Sequence, residues 1–252
     1  MIGDNFNKNH VFEMYTIEHF VIIFIYLILA VFFAIKTSKN NTLIIRLTIF
    51  LAAVYVVLTE IIKIASKFFK GNTFIDMVPM PFCSLFIPGI ICSLFKNKHL
   101  RRTGYTFMGL GGIVGGFAYI FIPNGSVGSY PIYHLNFIHG VSYHFVMLYI
   151  GLLILISKIY IPKLSDFKYY FSFMSLFTII GIIVHHYYGG NWLFLFNPVG
   201  IKILDAILAY NNILYLLIVY IGESVVFFFG CYLLYNLIKK IIKMKIASMQ
   251  EA

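Results

Sequence analysis

Residues 17–35 read IEHFVIIFIYLILAVFFAI, and this stretch decides the class of fold. Within it, Val21–Phe33 is continuously apolar. A helix needs about 20 mainly apolar residues to cross roughly 30 Å of hydrocarbon, whereas strands of a membrane β-barrel alternate in polarity over about 10 residues. The stretch therefore predicts a membrane-spanning helix. Because the acidic Asp4, Glu13 and Glu18 precede or open it and no basic cluster does, we expect an uncleaved span rather than a signal peptide.

The same pattern recurs along the rest of the chain. Further apolar windows lie at about 43–64, 77–95, 105–122, 137–156, 170–188 and 213–237. Hydrophobic residues make up 61% of the 252 residues and charged residues 11%, against about 45–50% and about 25% in soluble domains. This composition excludes a disordered chain, and a long apolar chain with only three cysteines is not a disulfide scaffold. We predict an all-α polytopic membrane protein, a single domain built as a bundle of seven transmembrane helices.

The basic residues predict the orientation of this bundle. With the N-terminus outside and the C-terminus inside, 14 of the 19 lysines and arginines lie on the inner side, as the positive-inside rule requires. They are Lys36, Lys39, Arg46, Lys96, Lys98, Arg101, Arg102, Lys158, Lys163, Lys168, Lys239, Lys240, Lys243 and Lys245. The net charge of +10 is thus explained by contact with membrane lipids, and no soluble basic segment favours nucleic acid as a partner. The expected location is the cell membrane, crossed several times.

Ionisable side chains within the spans are the candidates for function, because such groups are costly in a membrane. His19 opens the first span from outside, and Glu60 closes the second toward the same side. Cys83 lies in the outer half of the third span, and His144 lies about two turns into the fifth. A histidine can activate a cysteine thiol as a nucleophile, so these two residues predict acyl transfer between lipids, provided that they meet.

Other interpretations of the same residues stay open. Free cysteines are usually small buried hydrophobes, and membrane histidines often form hydrogen bonds between helices. A non-enzymatic transporter or lipid-binding protein would use the same polar residues as a binding site. His139 and His144 are five residues apart and diverge around a helix, and the chain has no Walker A, HExxH or CxxC sequence. We therefore expect no metal and no cofactor.

Glycine and proline predict local features of two spans. The spacings Gly111–Gly115 and Gly112–Gly116 favour close helix packing rather than a ligand site. Pro79, Pro81 and Pro88 make the third span irregular.

Several short motifs, in this order, resemble the YwaF-like bacterial integral membrane proteins, a family with a mammalian relative described as a membrane phospholipid acyltransferase. The family has an S-x-E-H-L-like motif at its first span and a glutamate at the end of its second. An L-P-L-H-L-C-like motif opens its third span, and its fifth span carries an S-H-G-like histidine. Its last outer loop has an N-Y-M-Y-L-like motif followed by Leu-Asp. The matching segments here are Thr16–Phe20 (TIEHF), Glu60, Val78–Cys83 (VPMPFC), Tyr143–Phe145 (YHF), Asn191–Leu195 (NWLFL) and Leu204-Asp205.

The resemblance implies site residues as well as a fold. It implies a lipid acyltransferase or hydrolase with Cys83 as nucleophile and His144 as base. His19, Glu60 and Asn191 would support them. Pro81 departs from the family pattern, which usually has histidine there, so any chemical role of that histidine is absent from this chain.

Overall fold

The computed structural model describes residues 15–73, 78, 81–121, 130–198 and 201–250, with side chains to residue 244. Every regular element in these ranges is helical. The helices are α1 (Ile17–Ser38), α2 (Thr42–Phe69), α3 (Phe86–Leu94, after a 3₁₀ turn at Phe82–Leu85), α4 (Lys98–Phe121, with a π turn at Phe107–Gly111), α5 (Leu135–Ile156), α6 (Phe167–Tyr188, after a 3₁₀ turn at Leu164–Asp166), α7 (Lys202–Tyr210) and α8 (Asn212–Gln250, with a π turn at Gly222–Val226).

The predicted all-α polytopic membrane fold is confirmed. The described residues include six helices that are long and apolar enough to cross a membrane: α1, α2, α4, α5, α6 and α8. The window expected at 77–95 forms the shorter apolar helix Phe82–Leu94, about 20 Å long at 1.5 Å per residue. Part of that window, including Pro79, lies outside the described residues. The orientation with the N-terminus outside stays a prediction.

Two boundaries differ from the sequence expectation. Helix α2 continues past the expected window of 43–64 to Phe69 and carries Lys63 and Lys67 on its last turns. The connection expected at 189–212 contains a helix of its own, α7 (Lys202–Tyr210). Residues 123–129, between the windows at 105–122 and 137–156, lie outside the described residues.

Helix α5 occupies the middle of the bundle and packs on α1, α2 and α4. The glycines of α4 make this approach close: a Cβ at Gly116 would lie 2.7 Å from Leu148 Cβ and 2.9 Å from His144 O. A Cβ at Gly112 would lie 3.1 Å from Met147 O. The predicted packing role of these two glycines is confirmed.

One buried carboxylate ties together the chain around the end of α5 and the start of α4. Asp166 has no exposed surface. Its oxygens accept hydrogen bonds from Arg102 Nε (2.5 Å) and Arg102 Nη2 (2.7 Å), from Tyr160 OH (2.9 Å) and from the backbone N–H of Lys163 (2.8 Å). Burial raises the pKa of Tyr160 well above its usual range, so its hydroxyl stays a neutral donor.

Candidate functional site

All five site residues predicted from the sequence lie toward one end of the bundle, on α1, α2, the turn before α3, α5 and the loop after α6. His19 and Glu60 are only 2% and 4% exposed, although both side chains are polar. Cys83 and His144 are half-buried. Buried polar groups in a membrane protein need partners, and these partners define what each residue can do.

Glu60 is the centre of a polar group that we call the Glu60 cluster: Glu60, Lys63 and His139. Lys63 Nζ lies 2.5 Å from Glu60 Oε1, and His139 Nε2 lies 3.1 Å from Glu60 Oε2. Lys63 is one turn along α2, whereas His139 is on α5, so the cluster joins the two helices. His139 is not among the five site residues predicted from the sequence. Its contact with Glu60 depends on how α2 and α5 are rotated about their axes relative to each other.

His144 is held in one tautomer by its own helix. Its Nδ1 lies 2.7 Å from the carbonyl oxygen of Gly140. Since a carbonyl only accepts, Nδ1 carries the proton and Nε2 keeps a free lone pair. The ring also stacks on Tyr119 of α4, with centroids 3.8 Å apart and planes 8° apart. His144 is therefore positioned as a proton acceptor through Nε2.

Cys83 lies against the same face of α4 as the His144 ring. Its Sγ is 3.4 Å from the position that a Cβ on Gly115 would take, and its carbonyl accepts a hydrogen bond from Tyr143 OH (3.1 Å). Gly115 and Tyr119 are four residues apart, so they face the same way, about one turn (~5–6 Å) apart along α4. Cys83 and His144 thus pack at positions of α4 one helical turn apart, and no hydrogen bond joins their side chains in the described part of the structure.

His19 faces a narrow crevice between α1, α4 and α5. Its Nδ1 accepts the backbone N–H of Tyr15 (3.0 Å), which leaves the proton on Nε2. The crevice is also lined by Tyr26, Tyr119 and Val141. Its volume is about 20 Å³, which is room for one water molecule. Because Tyr119 also stacks on His144, the crevice lies beside the His144 ring.

Asn191 organises a loop. Its Oδ1 accepts the backbone N–H groups of Phe196 (3.1 Å) and Asn197 (3.0 Å), and its Nδ2 donates to Asn197 O (2.8 Å). All of these bonds stay within the loop. The 3₁₀ turn at Trp192–Phe194 lies against the turn at Phe82–Leu85 that carries Cys83. Asn191 thus stabilises the loop that packs against the Cys83 turn, and its side-chain hydrogen bonds do not reach that turn.

Sequence reasoning missed the tyrosines of the site. Tyr143 holds the Cys83 carbonyl, Tyr119 stacks on His144, and Tyr26 donates to Gly116 O (3.4 Å). The chain has 19 tyrosines and no local motif separates these three from the rest. Within the described ranges, no three His, Cys, Asp or Glu side chains gather as metal ligands would.

Comparison with known proteins identifies one family. The TMEM164 family model matches residues 6–235, which include every residue of the site. No curated protein and no solved structure matches the chain.

Proposed function

Because the chain belongs to the TMEM164 family, a family of transmembrane proteins, we propose that it is a lipid acyltransferase of the cell membrane, with Cys83 as nucleophile and His144 as general base. The observation that supports the proposal is that Cys83 Sγ packs at Gly115 and the His144 ring stacks on Tyr119, two positions of α4 about one turn apart. Catalytic pairs are often longer than a hydrogen bond before substrate binds and tighten in the complex.

The neighbours of the pair support these roles. The Gly140 carbonyl fixes the tautomer that leaves Nε2 of His144 as a base, the way a third group orients the base in nucleophilic enzymes. Tyr143 holds the Cys83 backbone by its carbonyl, and the Glu60 cluster fixes α2 against α5, the helix that carries both Tyr143 and His144. His19 and Tyr26 give the adjoining crevice a polar wall.

In the proposed reaction, Nε2 of His144 takes the thiol proton while the Cys83 sulfur attacks the carbonyl carbon of a lipid ester. The ester C–O bond breaks, the acyl group stays on sulfur as a thioester, and His144 gives its proton to the departing lipid oxygen. An acceptor hydroxyl then attacks the thioester carbonyl, and its proton passes through His144 back to the sulfur. Water as the acceptor makes the same site a hydrolase.

The test is acyl transfer by the full-length protein in proteoliposomes that contain phospholipid with a labelled acyl chain. We expect Cys83→Ser and His144→Ala each to lower turnover at least about 10³-fold, because each removes a group that acts only in the transition state. A labelled, hydroxylamine-sensitive acyl group on Cys83 is the second readout, and it accumulates in the wild-type protein when acceptor is withheld.

The matched controls are Cys92→Ser and His186→Ala. Cys92 is on α3, away from the turn that carries Cys83, and His186 is at the exposed end of α6. Both are expected to keep turnover within about twofold of wild type. Wild-type rates in the Cys83→Ser and His144→Ala proteins, or an acyl group found on Cys92 instead of Cys83, would contradict the proposed mechanism.

The Glu60 cluster favours a second candidate function, binding or transport of a lipid or small molecule without turnover. Under this alternative, Glu60→Gln weakens binding or uptake more than tenfold, since it removes one charge of a buried pair, while Cys83→Ser has no effect. Glu18→Gln, at the exposed start of α1, is the control. Labelled lipid bound to purified protein measures the effect, and loss of turnover in Cys83→Ser rejects this alternative.

A further inference from the structure

A basic cavity lies at the end of the bundle opposite the Glu60 cluster. It is an open cavity of about 700 Å³ between the start of α2, the start of α4 and the segment 158–163 that follows α5. Six of its lining residues are lysine or arginine, and no acidic side chain lines it. The six are Arg46, Lys98, Arg101, Arg102, Lys158 and Lys163.

Only one of these cations is neutralised by a described residue. Arg102 forms two hydrogen bonds to Asp166, which fix its guanidinium at the wall of the cavity. The described residues supply no carboxylate to the other five. Like charges around one concave space repel one another and concentrate a positive potential there. An anion in the cavity removes that repulsion.

Lys158 lies just after the end of α5. Its φ is +58°, the left-handed conformation in which glycine is usual at the end of a helix. Here the turn after α5 directs the chain so that Lys158 lines the cavity.

We infer that the basic cavity is a binding site for a phosphate group, carried either by an anionic lipid headgroup or by a soluble phosphorylated compound. The positive-inside rule explains why cations lie at this end, but it does not require them to converge. Lys36, Lys39, Lys240 and Lys243 lie at the same end and do not line the cavity. Arginine and lysine are the side chains that bind phosphate oxygens through charge-assisted hydrogen bonds. The hydrogen-bonded pair His99 Nδ1 and Tyr169 OH (2.9 Å) adds a polar wall.

The test uses the full-length protein and two probes. In detergent, inorganic phosphate is titrated and thermal unfolding is followed, with chloride at equal ionic strength as reference. In nanodiscs, phosphatidylcholine alone is compared with phosphatidylcholine containing phosphatidic acid, and retained lipid is measured by native mass spectrometry. Stabilisation by phosphate assigns a soluble ligand, and selective retention of phosphatidic acid assigns a lipid headgroup. Either result supports the site.

The variant for this test is Arg101→Gln/Lys158→Gln, which leaves the Arg102–Asp166 pair intact. We expect it to weaken the response about tenfold or more. The control is Lys240→Gln/Lys243→Gln, which removes the same charge from exposed positions of α8. Equal weakening by both double variants, or no response of the wild-type protein to either probe, would overturn the inference. Acyl transfer is not part of this readout, so the site and the proposed function are tested separately.

Discussion

Replacement of Asp166 by alanine is expected to lower the free energy of unfolding by about 3 kcal/mol, the lower end of what loss of one partner from a buried ion pair costs. Asp166 is fully buried and satisfies Arg102, Tyr160 OH and the backbone N–H of Lys163. Without the carboxylate, these donors lose their hydrogen-bond acceptor at a position that is buried from water. The Arg102 side chain is 31% exposed, and water screens part of the loss.

Equilibrium unfolding of the purified protein in detergent, followed by circular dichroism, measures this effect. Asp205→Ala is the matched control, because Asp205 is an exposed aspartate on the first turn of α7. We expect the control to stay within about 0.5 kcal/mol of wild type. If Asp166→Ala unfolds at the same denaturant concentration as the control, the ion pair does not stabilise the fold.

Gly104→Ala is expected to destabilise the protein by about 3 kcal/mol or more through overpacking. A Cβ at Gly104 would lie 2.4 Å from Ser93 N, 2.5 Å from Gly89 O and 2.8 Å from Ser93 Cα. All three atoms belong to the backbone of α3, so no side chain can turn away to make room. The methyl group must push α4 and α3 apart, and the turn that carries Cys83 leads directly into α3.

The control for Gly104 is Gly230→Ala on α8, where a Cβ meets no atom within 4 Å. Both glycines lie within helices, so alanine changes the helix preference of the backbone in the same way at each. The difference in stability between the two variants therefore measures the cost of packing at Gly104. At Gly230, alanine is expected to stabilise by about 0.5–1 kcal/mol, because glycine is a poor helix former. Thermal unfolding of the two variants in parallel gives the comparison. A Gly104→Ala protein as stable as Gly230→Ala would show that α3 and α4 do not approach this closely.

The candidate site was only partly accessible to sequence reasoning. Depth along a helix follows from counting residues from the end of an apolar run, and it correctly brought Glu60 and His144 toward one end of the bundle. The direction in which a side chain points around its helix depends on the neighbouring helices. For this reason the Glu60–His139 contact between α2 and α5 and the stacking of His144 on Tyr119 had no sequence signal.

The sequence by itself determined the class of fold. Long apolar runs must become helices in a membrane, because a helix satisfies its own backbone hydrogen bonds where no water is present. The glycine spacing in α4 likewise specified a close contact with some helix. Only the tertiary structure decided which helix that is, that Cys83 packs at Gly115 and His144 on Tyr119 of α4, and that six cations line one cavity. Those features depend on the rotation and register of whole helices, which are set by packing among residues far apart in the chain.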